Sequence, residues 1–376
     1  MFKMNTRGIA TGMITALALV ANGKAVAVEM QAGKTVVNLY GYAKLDIIQD
    51  FNADIGASVD HGAIGLDDAE VPEGHTRLQA IESRLGVRTT TPTEAGDLTT
   101  VIEGDFYGAG SGGFRLRQAY GELNGVLAGH TWSNFATFTG HTSTIDFTGQ
   151  PGQTVLSLQT QLRYTDGGLS LAIEAPGYLG GTLEPVGGVD VDKNGLPDLT
   201  ARYEGGLGSL GYAIAGVLRQ IGADDGSDSD TAIGYGLNLA GSYQLAPGVS
   251  AQGGVTFGDG IGGYMYINPA SPAYLDGDSI ETVKSIGGTL GLSIAIGDGS
   301  MNVGYGLASA DVDDAVAAGA MPGEADEQYQ SLFVNYIWSP ITSVTYGIEA
   351  GRHTREQADG EAGDALRLHG MVQYSF

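Results

Sequence analysis

The sequence predicts an all-β chain that closes into a transmembrane antiparallel β-barrel of sixteen strands. Three observations carry this expectation. The final segment, LRLHGMVQYSF, alternates strictly: Leu366, Leu368, Gly370, Val372, Tyr374 and Phe376 share one face, and Arg367, His369, Met371, Gln373 and Ser375 the other. The chain opens with an export leader, and no later apolar stretch is long enough for a membrane helix, so any span must be made of strands. Short and long connections also take turns along the chain.

The leader comes first. Lys3 and Arg7 precede an apolar run from Ile9 to Ala21, followed by Ala25-Val26-Ala27. A basic start, a short apolar core and a small-x-small site describe a secretory signal. The run is broken by Gly12 and falls short of the ~20 residues a spanning helix needs. Cleavage is expected after Ala27, leaving 28–376 as a single barrel domain of the bacterial outer membrane. Loss of Lys3, Arg7 and Lys24 takes the net charge from -25 to -28. Such acidity argues against nucleic acid, whose phosphates need a basic footprint. The chain has Cys 0, so stability has to come without disulfides. A closed barrel supplies it by pairing every strand and leaving no edge.

Alternating segments are expected at 36–49, 80–92, 97–107, 113–123, 125–132, 155–165, 168–175, 198–205, 210–220, 231–245, 249–258, 284–296, 300–309, 328–338, 342–353 and 364–376. Every second connection is tight: TPTEAGD, Asn124-Gly125, Asp166-Gly167-Gly168, GGLGS, APG, GDG and Ser339-Pro340. The others cover 50–79, 108–112, 133–154, 176–197, 221–230, 259–283, 310–327 and 354–363, and all but 108–112 are long. This sorting places turns in the periplasm and loops outside, around a lumen wide enough for water. The outer loops carry -25 of the mature -28. Two readings of that acidity stand: a solvated rim, or divalent-cation bridges to lipopolysaccharide or a neighbouring subunit. Tyr374 and Phe376 end the closing strand at the lipid boundary. A terminal aromatic on such a strand resembles the signal read by the barrel-assembly machinery.

The residues that bear on function lie on the lumen faces. Arg84 and Arg88 oppose Leu85 and Val87, and Arg115 and Arg117 oppose Phe114, Leu116 and Tyr120. Arg163 opposes Leu162 and Tyr164, and Lys44 opposes Ala43 and Leu45. A basic residue facing lipid at mid-membrane costs roughly 2–4 kcal/mol, so these point inward. Five arginines from the second, fourth and sixth strands are expected to form one wall. The third long loop, WSNFATFTGHTSTIDFTGQPG, has one carboxylate, Asp146, and is too apolar for free solvation, so it is expected to fold into the lumen. An arginine wall facing a nearly uncharged loop favours anions. The competing reading pairs the arginines with lumen acids such as Glu82, Glu103 and Glu122.

The blocks SRLGVRTTTPTEAGDLTTVIEGDFYG, GFRLRQAYGEL and AGHTWSNFATFTGHTSTIDFTGQPG resemble the DcaP-like porins over about Val36 to Gln153. The resemblance implies a homotrimer of sixteen-stranded barrels with loop 3 constricting each pore. It implies passive uptake of small anionic solutes, including dicarboxylates, past Arg84, Arg88, Arg115 and Arg117. The long helical segment that some members carry after the leader is missing from the sequence, and its role is not transferred.

Other readings remain beside this one. Asp190, Asp192, Asn194 and Asp198 follow the spacing of a calcium loop, but Ala201 stands where the bidentate Glu belongs. They form either a Ca²⁺ site in an outer loop or an acidic turn. His141 near Ser143 is the obvious local His/Ser pair, with no third member for nucleophilic catalysis, and no enzyme is expected. A plugged structural or adhesive barrel would need a bulky, self-paired interior. Gly234, Gly236, Ala240 and Ser242 argue for an open one. A cation-selective porin governed by its acidic loops is the other alternative.

Overall fold

The computed structural model describes residues 28–66, 73–108, 112–154, 156–177, 181, 183, 192–193, 195–224, 226 and 228–376. The leader 1–27 lies outside the described residues, as do Asp190 and Asn194. Among the described residues, sixteen strands form one closed antiparallel barrel. They are β1 (Thr35–Asp50), β2 in two pieces (His75–Gln79 and Arg84–Thr93), β3 (Gly96–Gly108), β4 (Gly113–Leu123), β5 (Val126–Trp132) and β6 (Leu158–Asp166). Next come β7 (Leu169–Glu174), β8 (Asp198–Leu207), β9 (Leu210–Asp224), β10 (Ser229–Ala246) and β11 (Val249–Asp259). The last are β12 (Lys284–Ile296), β13 (Gly299–Ala310), β14 (Asp326–Ile341), β15 (Val344–Gln357) and β16 (Ala362–Ser375).

Period-two alternation becomes an inside and an outside. Leu45, Ile47, Leu85 and Val87 are exposed outward, whereas Lys44 and Asp46, which alternate with the first two, are buried inward. Tyr336, Trp338 and Tyr346 stack on the outer face beside a periplasmic turn, with ring centroids 5.2 and 5.5 Å apart. Such aromatics belong at the membrane–water boundary. β16 closes the barrel against β1, from Tyr42 opposite Ser375 to Asp50 opposite Arg367. The ladder runs to the last residue. Phe376 N–H donates to Gly41 O at 3.0 Å, and Gly41 N–H donates to Phe376 O at 3.1 Å. A Cβ at residue 41 would lie 2.9 Å from the Phe376 ring, so glycine there admits the terminal aromatic.

Several expectations need correction. The second strand does not run unbroken over 80–92. It breaks between Gln79 and Arg84, where Ser83 N–H turns back to Ala80 O (3.1 Å) and Glu82 reaches Lys44. The spacer before β1 is itself a strand, Val28–Ala32, folded onto Thr35–Leu39 through Gly33 at φ 63°. The outer connections expected at 221–230 and 354–363 are mostly strand, because β9 and β15 run on to Asp224 and Gln357.

The larger loops fold inward and over one another. L1 (51–74) buries Ala53, Ile55, Val59 and Ile64 against Ala365. L6 (260–283) buries Ile261, Tyr264 and Met265 against Phe135 and Ala136 of L3 (133–157) and the inner faces of β9 and β13. L7 (311–325) carries the short helix α1 (Asp313–Ala317), which packs on Tyr274 and Val283 of L6.

Candidate functional site

Alternation alone does not build the arginine wall; a β-bulge completes it. β3 turns Glu103 and Asp105 inward, both buried. Across from them, Glu103 pairs with Gln118 and Gly104 with Leu116, leaving Arg117 as the extra residue of β4. Beyond the bulge the faces exchange. Tyr120, expected outside, stands opposite the buried Val101 and faces the lumen.

The two carboxylates bind the guanidiniums in a ladder. Arg115 meets Asp105 through two parallel bonds, Nε to Oδ1 at 3.0 Å and Nη2 to Oδ2 at 2.7 Å. Arg117 reaches Glu103 and Asp105, each at 3.2 Å, and Arg84 lies 3.6 Å from Glu103. The expected competition between pairing and presentation therefore has a mixed outcome. Each arginine is paired, yet the partners are unequal in exposure. The Arg115 side chain is 37% exposed over an Asp105 at 0%, and Arg84 is 23% exposed over a Glu103 at 5%. The charge offered to the lumen is positive, and its counter-charge lies in the wall. Lys44 is different: it is buried between Asp46 (3.0 Å) and Glu82 and offers little to the pore.

L3 enters the lumen as expected, and Phe147 brings it to the arginines. Its ring stacks on Tyr107 at 4.9 Å, with the Arg115 and Arg117 guanidiniums 5.6 and 5.8 Å from its centre. Asp146 borders the same cavity, but its carboxylate is buried and bound within the protein. Oδ1 accepts from the N–H groups of Val59 (3.1 Å) and Thr148 (3.0 Å), and Oδ2 from Arg367 (2.9 Å). Burial raises the Asp146 pKa, but Arg367, His369 and the Val59 N–H together outweigh burial and the net direction is downward. L3 therefore adds a neutral edge to a charged wall.

The remaining lumen is a cavity of about 1320 Å³ bordered by Arg84, Arg115, Arg117 and Lys44 on one side and L3 on the other. Arg88 and Arg163 stand apart from this group. They lie nearer the periplasmic turns, flanking Tyr120, with Arg163 beside Glu122, Glu174 and Arg202. The five arginines thus form two stations rather than one wall. Sequence reasoning missed Arg202, which borders the cavity and holds Ala136 O of L3. It also missed the inward fold of L1 and L6.

Three of the four small lumen residues do not open onto the cavity. Gly234 and Gly236 do not mark open space: a Cβ at 234 would lie 2.7 Å from Gly260 O, and one at 236 lies 2.4 Å from Ile261. Ala240 sits under Gly140, and among the four only Ser242 borders the cavity. The same logic seats L3. A Cβ at Gly291 would lie 1.8 Å from Thr142 Oγ1, and one at Gly287 2.4 Å from Gly152. Inward glycines here are sockets for folded-in loops.

Two weaker constellations remain. The Asp198 carboxylate is buried inside the barrel, 3.8 Å from Arg219 and accepting from Tyr264 OH at 3.0 Å. Asp192 accepts from Leu183 N–H in the outer loop and, like Asp198, acts on the Arg219 charge. His141 bonds Gln153 at 3.1 Å.

Comparison with known proteins agrees with this architecture. The outer membrane channel DcaP of Acinetobacter baumannii superposes with a TM-score of 0.80 at 24% identity, over 92% of this chain and 99% of that one. An anion-selective porin from Comamonas acidovorans gives 0.59 at 13% identity, over 91% and 100%. The trimer form of OmpT, an outer membrane protein of Vibrio cholerae, gives 0.56 at 12% identity, over 91% and 99%. A search of curated proteins found no match. The sequence model of the DcaP outer membrane protein family matches residues 4–376, nearly the whole chain, and the protein belongs to that family.

Proposed function

We propose that the chain is a passive diffusion channel for small hydrophilic solutes that prefers anions, including carboxylates and dicarboxylates. One observation carries the preference: at the constriction, Arg115 and Arg84 are exposed to the lumen while Asp105 and Glu103 are buried behind them. A guanidinium keeps its charge at any working pH and holds a carboxylate through two donors. The solute enters through the acidic outer loops, passes through the cavity that Arg84, Arg115 and Phe147 border, and leaves past Arg88, Arg163 and Arg202. Outer charges more than about 8 Å away are screened at physiological salt, so the narrow inner station sets the selectivity. The likeness to the Acinetobacter outer membrane channel and to the anion-selective Comamonas porin supports this reading.

Within the same reading, the leader is cleaved after Ala27. The Tyr374–Phe376 end serves the assembly machinery, and the outward aromatic and aliphatic faces meet lipid beneath a lipopolysaccharide leaflet. The protomer assembles as a homotrimer, as the OmpT trimer form does.

The test is the zero-current potential of the purified protein in a planar bilayer under a KCl gradient, with Arg84→Ala/Arg115→Ala beside it. An anion-selective potential that collapses in the double variant is expected. A cation-selective potential unchanged by the variant would give control to the acidic loops. Absence of conductance would favour a structural barrel.

A further inference from the structure

The tip of L3 is held by a socket on the far wall. Glu349, on β15, is buried and faces inward. Its Oε2 accepts from Ile145 N–H at 2.8 Å, and its Oε1 accepts from Asp146 N–H at 3.1 Å. Asn335, its register partner on β14, donates to Glu349 Oε2 at 2.8 Å and to Ser143 O at 2.8 Å. Two side chains on adjacent strands therefore bind the L3 backbone at residues 143, 145 and 146. Two positions before Glu349, Gly347 leaves room for the Ile145 side chain: a Cβ there would lie 2.6 Å from Ile145 Cδ1.

This socket stands one residue from the pore. Asp146 is gripped through its N–H, and the next residue, Phe147, meets Tyr107, Arg115 and Arg117. The backbone has no soft torsion between grip and ring other than those of residues 146 and 147. A shift of the anchor becomes a shift of Phe147 relative to the arginines.

We propose that Glu349 is the positioning residue that sets the width of the pore. Asn335 orients its carboxylate, and both side chains bind the L3 main chain, while Gly347 seats the Ile145 side chain. The inference rests on the chain being a channel with L3 at its constriction, and does not depend on which ion it prefers. It also implies that L3 side chains facing the lumen can be changed without unseating the loop.

The experiment is single-channel recording of the full mature chain in planar bilayers, comparing wild type with Glu349→Ala, Glu349→Gln and Asn335→Ala. Folding is checked separately by the heat-modifiable mobility of the barrel. A folded Glu349→Ala is expected to raise unitary conductance about 1.5-fold or more and to increase open-channel noise, since the constriction sets the current. Glu349→Gln should fall between, because its one remaining oxygen still serves one of the two N–H groups and its NH₂ faces the other. Asn335→Ala should move the same way by less. Wild-type conductance and noise in the folded variants would overturn the proposal. If Glu349→Ala fails to fold, the other two variants decide by the same criterion. A cation-selective wild type whose conductance still rises in Glu349→Ala would support the socket while overturning the anion preference. A wild type without conductance would overturn both.

Discussion

The walls β2–β4 and β14–β16 use the same residue types for different ends. Both point arginines and carboxylates inward. On the first, Arg115 remains 37% exposed over its buried partner. On the second, Arg367 is 2% exposed, bound to Asp50 at 2.7 Å and to Asp146 of L3 at 2.9 Å. One wall exposes charge to the lumen, and the other uses it to hold loops. The deciding factor is whether a loop covers the residue, since an uncovered cation acts on the lumen and a covered one must be neutralised by close partners.

That contrast can be broken most severely at Arg367. Arg367→Ala leaves Asp50 and Asp146 facing each other without a cation and removes a donor to Gly56 O. A loss of about 3–5 kcal/mol is expected, measured as a lower urea midpoint for barrel unfolding in detergent or lipid. An unchanged midpoint would mean the covered wall is not under electrostatic tension. A smaller effect is expected at the socket glycines. Gly291→Val drives a side chain into Thr142 and should cost about 1–3 kcal/mol. The same variant should raise conductance by displacing L3, whereas a valine that leaves conductance unchanged would show that L3 does not rest there.

Acid should sharpen the comparison by loosening the covered side alone. In L1, His61 Nε2 bonds Ser331 Oγ at 2.9 Å, and Ser331 also bonds His353 Nδ1 at 2.8 Å. Burial lowers the His61 pKa from 6.5 to about 4. Because the native value lies below the unfolded one, seating is intact above pH 6.5 and is lost as the pH falls through 4. Protease cleavage within L1 should rise over that window, and His61→Gln should flatten the profile. A profile equally steep in His61→Gln would assign the acid response elsewhere.

The smallest stability effect belongs to the presenting wall. Arg115→Ala should cost less than about 1 kcal/mol, because its side chain is well exposed and Arg117 still partners Asp105. Its effect should fall on ion selectivity instead. A large drop in the unfolding midpoint would place Arg115 with the structural arginines.

Period-two alternation by itself determined the sixteen strands, the inward face of Arg84, Arg115 and Arg367, and the closing role of the strand ending at Phe376. Composition also marked L3 as a loop too apolar to stay in solvent. These features are local, because a side chain's face follows from its neighbours two residues away. The tertiary structure decided the bulge at Arg117, which depends on counting residues in a second strand. It also decided the separation of Arg88 and Arg163 from the constriction, the burial of L1 and L6, and the carboxylate assigned to each arginine. The inward glycines make the limit plain. A glycine in an alternating strand marks missing volume, and only the folded chain shows whether water or another segment of the protein fills it.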